Sequence, residues 1–198
     1  MKGFVVWITG LPGSGKRMLA NALAERLQER GRQVEVIDSG AFRHTALASS
    51  LGFSREERVQ NCLRHAFAAK LLANNGVVAI VSAVSPYRDT RDTIREQVGR
   101  FVEVAVTTPK ATCIDRDTRG VWAAALRGEI RNFTGVDDPY EAPVSPEFAV
   151  DLSEPDADGA ARALIRRLAE LEHLTGATSP GHEHDPLARE LEDAGFQT

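Results

Sequence analysis

Gly10-Leu11-Pro12-Gly13-Ser14-Gly15-Lys16-Arg17 is the stretch that decides the fold. It follows an apolar run, residues 4–9, that is typical of a buried strand, and it precedes a segment with helical periodicity. Because glycines let backbone N–H groups surround an anion and a helix N-terminus adds partial positive charge, the stretch predicts a phosphate-binding loop. The motif G-x-x-x-x-G-K-[S/T] fits except at its last position, where Arg17 replaces the hydroxyl residue that binds magnesium. We therefore predict that this stretch binds ATP, with Lys16 reaching the terminal phosphates.

Composition narrows the class of protein. The chain has 198 residues, 42% of them hydrophobic, which suits one domain with a sizeable core. A net charge of -4 argues against a general binder of nucleic acid or membrane surfaces. No apolar run approaches the roughly 20 residues that span a bilayer, and Met1-Lys2-Gly3 leads straight into the first strand without a signal peptide. Cys62 and Cys113 lack metal-like spacing, so we expect buried reduced thiols in a cytoplasmic protein.

Strands alternate with helices along the chain. Apolar runs predict strands at residues 4–9, 33–38, 77–84, 101–107 and 148–152, and helical periodicity predicts helices at 16–30, from 54 to about 76, 86–98, around Cys113, around 122–127 and at 158–174. This alternation predicts a parallel sheet with right-handed crossovers and the phosphate site at the carboxyl end of the first strand.

Local signals place several boundaries. Ser54 and Glu57 form a predicted capping box, whereas Ser85-Pro86 and Thr108-Pro109 each predict an N-cap followed by the first helical residue. We expect residues 39–51 to form an irregular loop and His65 to lie on a helix face.

One domain is expected over residues 1–175, with a mobile lid at about 118–146 that is rich in Gly, Pro and charge. Residues 176–198 are turn-rich and predict a disordered tail, where the clustered His and acidic residues are expected to be solvated. We predict no metal site formed by the protein's own side chains.

Several segments together carry a more specific signal. They are Trp7-Ile8-Thr9-Gly10-Leu11, Leu51-Gly52-Phe53-Ser54, Arg58-Val59-Gln60-Asn61, Val81-Ser82-Ala83-Val84-Ser85-Pro86-Tyr87-Arg88, Gly128-Glu129-Ile130-Arg131-Asn132-Phe133-Thr134-Gly135 and Asp138-Pro139-Tyr140-Glu141-Ala142-Pro143. Over about residues 3–152 the chain resembles the adenylyl-sulfate kinases (APS kinases), and the last two segments are the most specific to that family.

The resemblance implies a fold and a reaction. The fold is α/β, of the P-loop nucleotide-kinase type, with a five-stranded parallel sheet flanked by helices and a lid segment. The reaction moves the γ-phosphoryl of ATP to the 3′-hydroxyl of adenosine 5′-phosphosulfate (APS), giving PAPS in sulfate assimilation. The family also implies Mg²⁺ beside ATP, a homodimer, and ATP sulfurylase as a candidate partner.

The resemblance also assigns nucleotide-binding residues. Those matched to the acceptor site are Arg43, Phe53, Arg58, Asn61, Arg64, Ser85 and Phe133. Phe53 and Phe133 would hold the adenine between aromatic faces, and the arginines suit phosphate and sulfate oxygens. Arg116 and Arg119 match basic residues near ATP.

The departures from the family pattern cluster near the metal. Where the family ends its second strand with Asp-Gly-Asp, this chain has Asp38-Ser39-Gly40, so the carboxylate placed near magnesium and the acceptor hydroxyl is missing. Arg17 either points outward or reaches the phosphates as a fixed positive charge. Asp38 either acts as a substitute base or caps the turn. Lys16 and Asp38 are thus the candidate catalytic residues, and we expect the departures at Arg17 and Gly40 to lower activity.

Three functions remain open on the sequence. The chain is an APS kinase, a nucleotide-binding regulatory domain with little catalysis, or a P-loop kinase for another small acceptor.

Overall fold

Strand β1 lies at the centre of a five-stranded sheet, in a computed structural model that describes residues 2–45, 51–171 and 173. The strands are β1 Phe4–Thr9, β2 Val34–Asp38, β3 Val78–Ser82, β4 Phe101–Val106 and β5 Phe148–Val150. They are all parallel, in the order β2-β3-β1-β4-β5. The predicted parallel α/β fold is confirmed.

Helices cover both faces of this sheet. They are α1 Lys16–Gln28, α2 Ser39–Phe42, α3 Arg55–Asn74, α4 Arg88–Val98, α5 Lys110–Asp115, α6 Val121–Leu126 and α7 Ala157–Glu170. In the described part of the chain, no helix is both long and apolar enough to cross a membrane.

The core has two layers because side chains of β1 alternate between the faces. Phe4, Val6 and Ile8 pack with α1 and α7, whereas Val5 and Trp7 pack with α3 and α4. Burial on both faces explains why β1 is continuously apolar. The central strand thus holds the loop that follows it at the carboxyl edge of the sheet.

Local capping signals were partly right. Ser54 and Glu57 form the predicted capping box at the start of α3. Helix α4, however, begins at Arg88 rather than Pro86, because Ser85 has a left-handed φ of 43° and its hydroxyl accepts a hydrogen bond from the Trp7 indole. Similarly, Thr108 does not cap α5: its hydroxyl donates to the Ser14 carbonyl, and Pro109 is the N-cap.

The loop expected at residues 39–51 begins as a helix. Residues 39–42 form α2, because the Asp38 carboxylate accepts a hydrogen bond from the Ala41 N–H and caps the turn. Both cysteines are buried free thiols, as expected. The region predicted as a lid, 118–146, contains α6, and its mobility stays a prediction. The predicted tail, 176–198, lies outside the described residues.

Candidate active site

The phosphate-binding loop needs glycine where other parts of the chain come close. A Cβ on Gly10 would lie 2.7 Å from the Val106 carbonyl oxygen. Gly15 has a φ of 99°, and its Cβ would lie 3.0 Å from the Leu152 side chain. The loop therefore keeps its tight path only with glycine at these positions, and Gly15 caps the start of α1.

Lys16 lies folded against the loop. Its Nζ donates to the carbonyl oxygens of Gly10, at 3.0 Å, and Leu11, at 2.8 Å. Burial lowers its pKa to about 8, against the opposing influence of Cys113 and Asp38. A bound phosphate would offer this ammonium a charged acceptor in place of neutral carbonyls. The geometry thus suits an anion in the loop.

Arg17 forms a two-pronged ion pair with Asp38. Its Nε lies 3.0 Å from one carboxylate oxygen and its Nη2 lies 2.6 Å from the other. Burial alone would raise the pKa of Asp38, but hydrogen bonds from Arg17 and from the Ala41 N–H outweigh it and lower the pKa. Arg17 therefore lies exposed at the surface and pairs with the end of β2, and its contact with a bound phosphate stays a prediction.

Gly40 lies beside this ion pair. A Cβ at Gly40 would be 3.1 Å from an Asp38 oxygen and 3.3 Å from Nη2 of Arg17. The two positions that depart from the family pattern, Arg17 and Gly40, are therefore neighbours in space.

The side chains at this place do not fit a divalent cation. Magnesium binds oxygen ligands, but position 17 offers only N–H donors and Gly40 has no side chain, so Asp38 is left as a single carboxylate beside a positively charged guanidinium. Over the described ranges, no three His, Cys, Asp or Glu side chains come together to hold a metal ion. We therefore derive no role for a metal held by these residues.

Arg43 and Arg58 meet at Phe53 on the acceptor side of the site. Arg43 donates to the Leu51 and Gly52 carbonyls, and its guanidinium carbon lies 4.3 Å from the centre of the Phe53 ring. The corresponding distance for Arg58 is 5.4 Å, and its Nε donates to the Phe53 carbonyl. Phe53 itself is 53% exposed, so its ring is accessible to a ligand.

Arg58 also links Phe53 to the lid. Its Nη2 donates to the carbonyl of Asn132, the residue before Phe133. Phe133 packs edge-on against Trp122, with ring centres 4.9 Å apart. Arg58 thus connects the backbone of Phe53 to the backbone of the residue that precedes Phe133.

Asn61 and Ser85 lie deeper in the site. The Asn61 amide donates to the Ser39 hydroxyl, and its carbonyl oxygen is buried without a hydrogen-bond partner among the described residues. Ser85 is buried at the corner after β3, where its hydroxyl contacts Trp7 and Cys62. Arg64 is exposed on α3, one turn beyond Asn61.

The two arginines predicted near ATP occupy different settings. Arg116 donates to the carbonyls of Leu152 and Ser153, and Leu152 packs beside Gly15 of the loop. Arg119 is exposed in the turn before α6. Arg116 therefore lies near the phosphate-binding loop as a structural contact, and its role toward ATP stays a prediction.

Sequence reasoning missed the residues that hold the lid. The hydroxyl of Tyr87 donates to Asp138 at 2.7 Å, and the Thr134 hydroxyl donates to the other oxygen of Asp138 at 2.9 Å. The Tyr140 hydroxyl lies 3.0 Å from that of Thr9, at the end of β1. The segment from Asp138 to Tyr140 was a family signal, but only the fold shows that it anchors the lid.

A cavity of about 380 Å³ lies away from the loop, between α4 and residues 143–147. Two of its arginines are already paired, Arg91 with Glu103 and Arg95 with Glu147. None of the residues that line the cavity is a predicted site residue.

Comparisons with known proteins agree on one family. The family described as adenylylsulphate kinase matches residues 2–151. An adenylyl-sulfate kinase of Picosynechococcus is 42% identical over 88% of this chain and 98% of its own length. The chain is also similar to a solved APS kinase of Mycobacterium tuberculosis in complex with AMPPNP and APS, with 37% identity, a TM-score of 0.79, and coverage of 85% of this chain and 98% of that one.

A hexameric APS kinase from Thiobacillus denitrificans is 33% identical, with a TM-score of 0.67. The match covers 89% of this chain and 30% of that longer one. The family match and the identities over nearly the full length of the relatives establish that this chain belongs to the adenylylsulphate kinase family.

Proposed function

We propose that the protein transfers the γ-phosphoryl group of ATP to the 3′-hydroxyl of APS, giving PAPS. The observation that carries this proposal is the arrangement around Arg58, which joins the backbone beside Phe53 to the backbone beside Phe133. A guanidinium that connects the segments of two aromatic residues suits an adenine base that carries an anionic substituent.

In this proposal the loop and Lys16 bind the terminal phosphates of ATP. Arg43 and Arg58 bind the phosphosulfate group of APS, Phe53 and Phe133 contact its adenine, and Asn61 orients the acceptor. Phosphoryl transfer depends mainly on positioning and on neutralising charge, and these residues supply both.

Asp38 is the remaining candidate for accepting the hydroxyl proton. Its lowered pKa and its pairing with Arg17 make it a weak base. We therefore propose slower turnover than an enzyme with the second carboxylate, because proton acceptance contributes less.

The test combines two measurements on the full chain. One is release of ADP in the presence of ATP and APS, and the other is calorimetric titration of APS, PAPS and ATP. Turnover with APS supports the kinase, whereas tight binding of APS without turnover would indicate a regulatory nucleotide-binding domain. Absence of both would refute the proposal and favour a different small acceptor.

A matched pair of variants tests the adenine contact. Phe53→Ala should weaken APS binding roughly 10-fold or more, because stacking of a base on an aromatic ring is worth about 1–3 kcal/mol. Phe67→Ala removes a phenylalanine of α3 that is 67% exposed and lies outside the proposed site, and it should leave APS binding unchanged.

The homodimer, the cytoplasmic location and the association with ATP sulfurylase remain part of this proposal. Sedimentation of the purified chain tests the first, and co-sedimentation with an ATP sulfurylase tests the last.

A further inference from the structure

We propose that the Arg17 guanidinium replaces a divalent cation in nucleotide binding, so that ATP binds the loop equally well with and without magnesium. This inference rests on the nucleotide site of the proposed function. It concerns binding at the loop and assigns no step of the transfer to a metal.

The first support is where the guanidinium lies. Arg17 follows Lys16 in the first turn of α1, at the end of the helix where backbone N–H groups face an anion. Its Nη2 is 2.6 Å from Asp38 and would be 3.3 Å from a Cβ at Gly40. A positive group thus lies where the family's hydroxyl and carboxylate would approach a metal.

The second support is that Arg17 can exchange its partner. Its side chain is 64% exposed, whereas that of Asp38 is 19% exposed. An ion pair this open is screened by water and weak. A triphosphate carries more negative charge than one carboxylate, and its oxygens accept charge-assisted hydrogen bonds from a guanidinium. Arg17 is therefore expected to leave Asp38 when a triphosphate binds.

This exchange predicts opposite effects for the two partners. Removing Arg17 deletes the cation and should weaken metal-free binding. Removing the charge of Asp38 deletes the competitor for that cation and should strengthen it. An ion pair that merely stabilises the fold would shift binding in the same direction whichever partner is removed.

The experiment is calorimetric titration of ATP into the full chain, in EDTA and in MgCl₂. For the unmodified chain the two dissociation constants should agree within about 3-fold. In EDTA, Arg17→Ser should weaken binding about 10-fold, the effect of losing one hydrogen bond to a charged group, and Asp38→Asn should tighten it about 3-fold. Arg30→Ser removes the same groups from the turn that follows the C-terminal end of α1 and should change neither constant.

A double variant provides an independent check. Arg17→Ser combined with Gly40→Asp restores a hydroxyl and a carboxylate, both oxygen ligands, and should bind ATP about 10-fold more tightly in magnesium than in EDTA. Thermal melting of each variant without ligand verifies that it is folded.

The binding constants distinguish failure of this inference from failure of the proposed function. Strongly magnesium-dependent binding by the unmodified chain, or shifts of the same sign for Arg17→Ser and Asp38→Asn, would overturn the inference while leaving the nucleotide site intact. Failure of every folded variant to bind ATP in either buffer would instead overturn the proposed function.

Discussion

Two arginine–carboxylate pairs in this protein have the same chemistry and opposite surroundings. Arg91 lies 2.7 Å from Glu103, with side chains 1% and 9% exposed, whereas Arg17 lies 2.6 Å from Asp38, with side chains 64% and 19% exposed. A buried charge that loses its partner cannot be solvated by water, whereas an exposed charge can. Burial therefore makes the first pair a permanent part of the fold and leaves the second free to exchange its partner for a ligand.

The contacts of Arg91 show what the buried pair supports. Besides Glu103 on β4, its guanidinium donates to the Ser85 carbonyl and to the Glu141 carbonyl, both at 2.6 Å. One side chain thus joins the corner after β3 to the C-terminal part of the predicted lid, residues 118–146. The buried pair thus lies beside Ser85, a residue of the predicted acceptor site, whereas the exposed pair lies beside the phosphate-binding loop.

The largest effect is expected from Arg91→Met. The change leaves Glu103 buried with only the more distant Arg95, at 3.4 Å, and should lower the free energy of unfolding by about 3–5 kcal/mol. Urea denaturation followed by circular dichroism measures the loss.

The control is Arg127→Met, at an exposed pair with Glu129 whose side chains are 60% and 56% exposed. It should cost less than about 1 kcal/mol. Similar losses for Arg91→Met and Arg127→Met would show that burial does not separate the two kinds of pair.

The sequence predicted those structural features that neighbouring residues determine. β1, the loop and the Ser54–Glu57 capping box each depend on neighbouring residues, and each is confirmed. The Arg91–Glu103 pair joins α4 to β4, and the Arg17–Asp38 pair joins α1 to β2. No local pattern specifies such pairs, because each depends on how elements far apart along the chain pack.

The residues of the candidate site also differ in whether neighbouring residues or distant elements determine them. The predicted phosphate-binding residues follow from a contiguous motif, whereas the predicted acceptor residues came from resemblance to a family, and only the fold shows which of them lie together. Ser85 shows how tertiary contacts override a local signal: its hydroxyl bonds the Trp7 indole instead of capping α4. His65 lies on a face of α3, as expected, and the fold shows that this face is buried.

His65 extends the comparison to a buried titratable group without a partner. Among the described residues neither ring nitrogen has a hydrogen-bond partner, and the ring packs edge-on against Phe42 at 4.6 Å. Burial, helped by Arg43 and opposed by Asp38, lowers its pKa to about 4. The folded protein thus holds a neutral imidazole where the unfolded chain would gain a proton near pH 6.5.

The sign of the pH effect follows from this difference. Below pH 6.5 the unfolded state binds more protons, so stability falls as the pH drops toward the folded pKa. Between pH 7 and pH 5 the contribution of His65 should be a loss of about 2 kcal/mol. Urea denaturation at both pH values measures this contribution. Between pH 7 and pH 5, the unfolding free energy of His65→Leu should fall by about 2 kcal/mol less than that of the unmodified chain.

His44→Leu is the matched control, since His44 is exposed. It should retain the pH dependence of the unmodified chain. If His65→Leu retained it as well, the imidazole would be charged within the fold, and the contrast between buried and exposed groups would not extend to His65.

The smallest effect is expected from Arg17→Ser in the absence of nucleotide. Because its ion pair with Asp38 is largely exposed, the variant should lose less than about 1 kcal/mol of unfolding free energy in urea. Asp38 would still accept the hydrogen bond from the Ala41 N–H, so α2 keeps its cap. A small effect on stability together with a roughly 10-fold effect on ATP binding would show that Arg17 serves nucleotide binding and not the stability of the fold. A loss as large as that of Arg91→Met would instead place Arg17 among the structural pairs, and it would remove the physical reason for Arg17 to leave Asp38 for a phosphate.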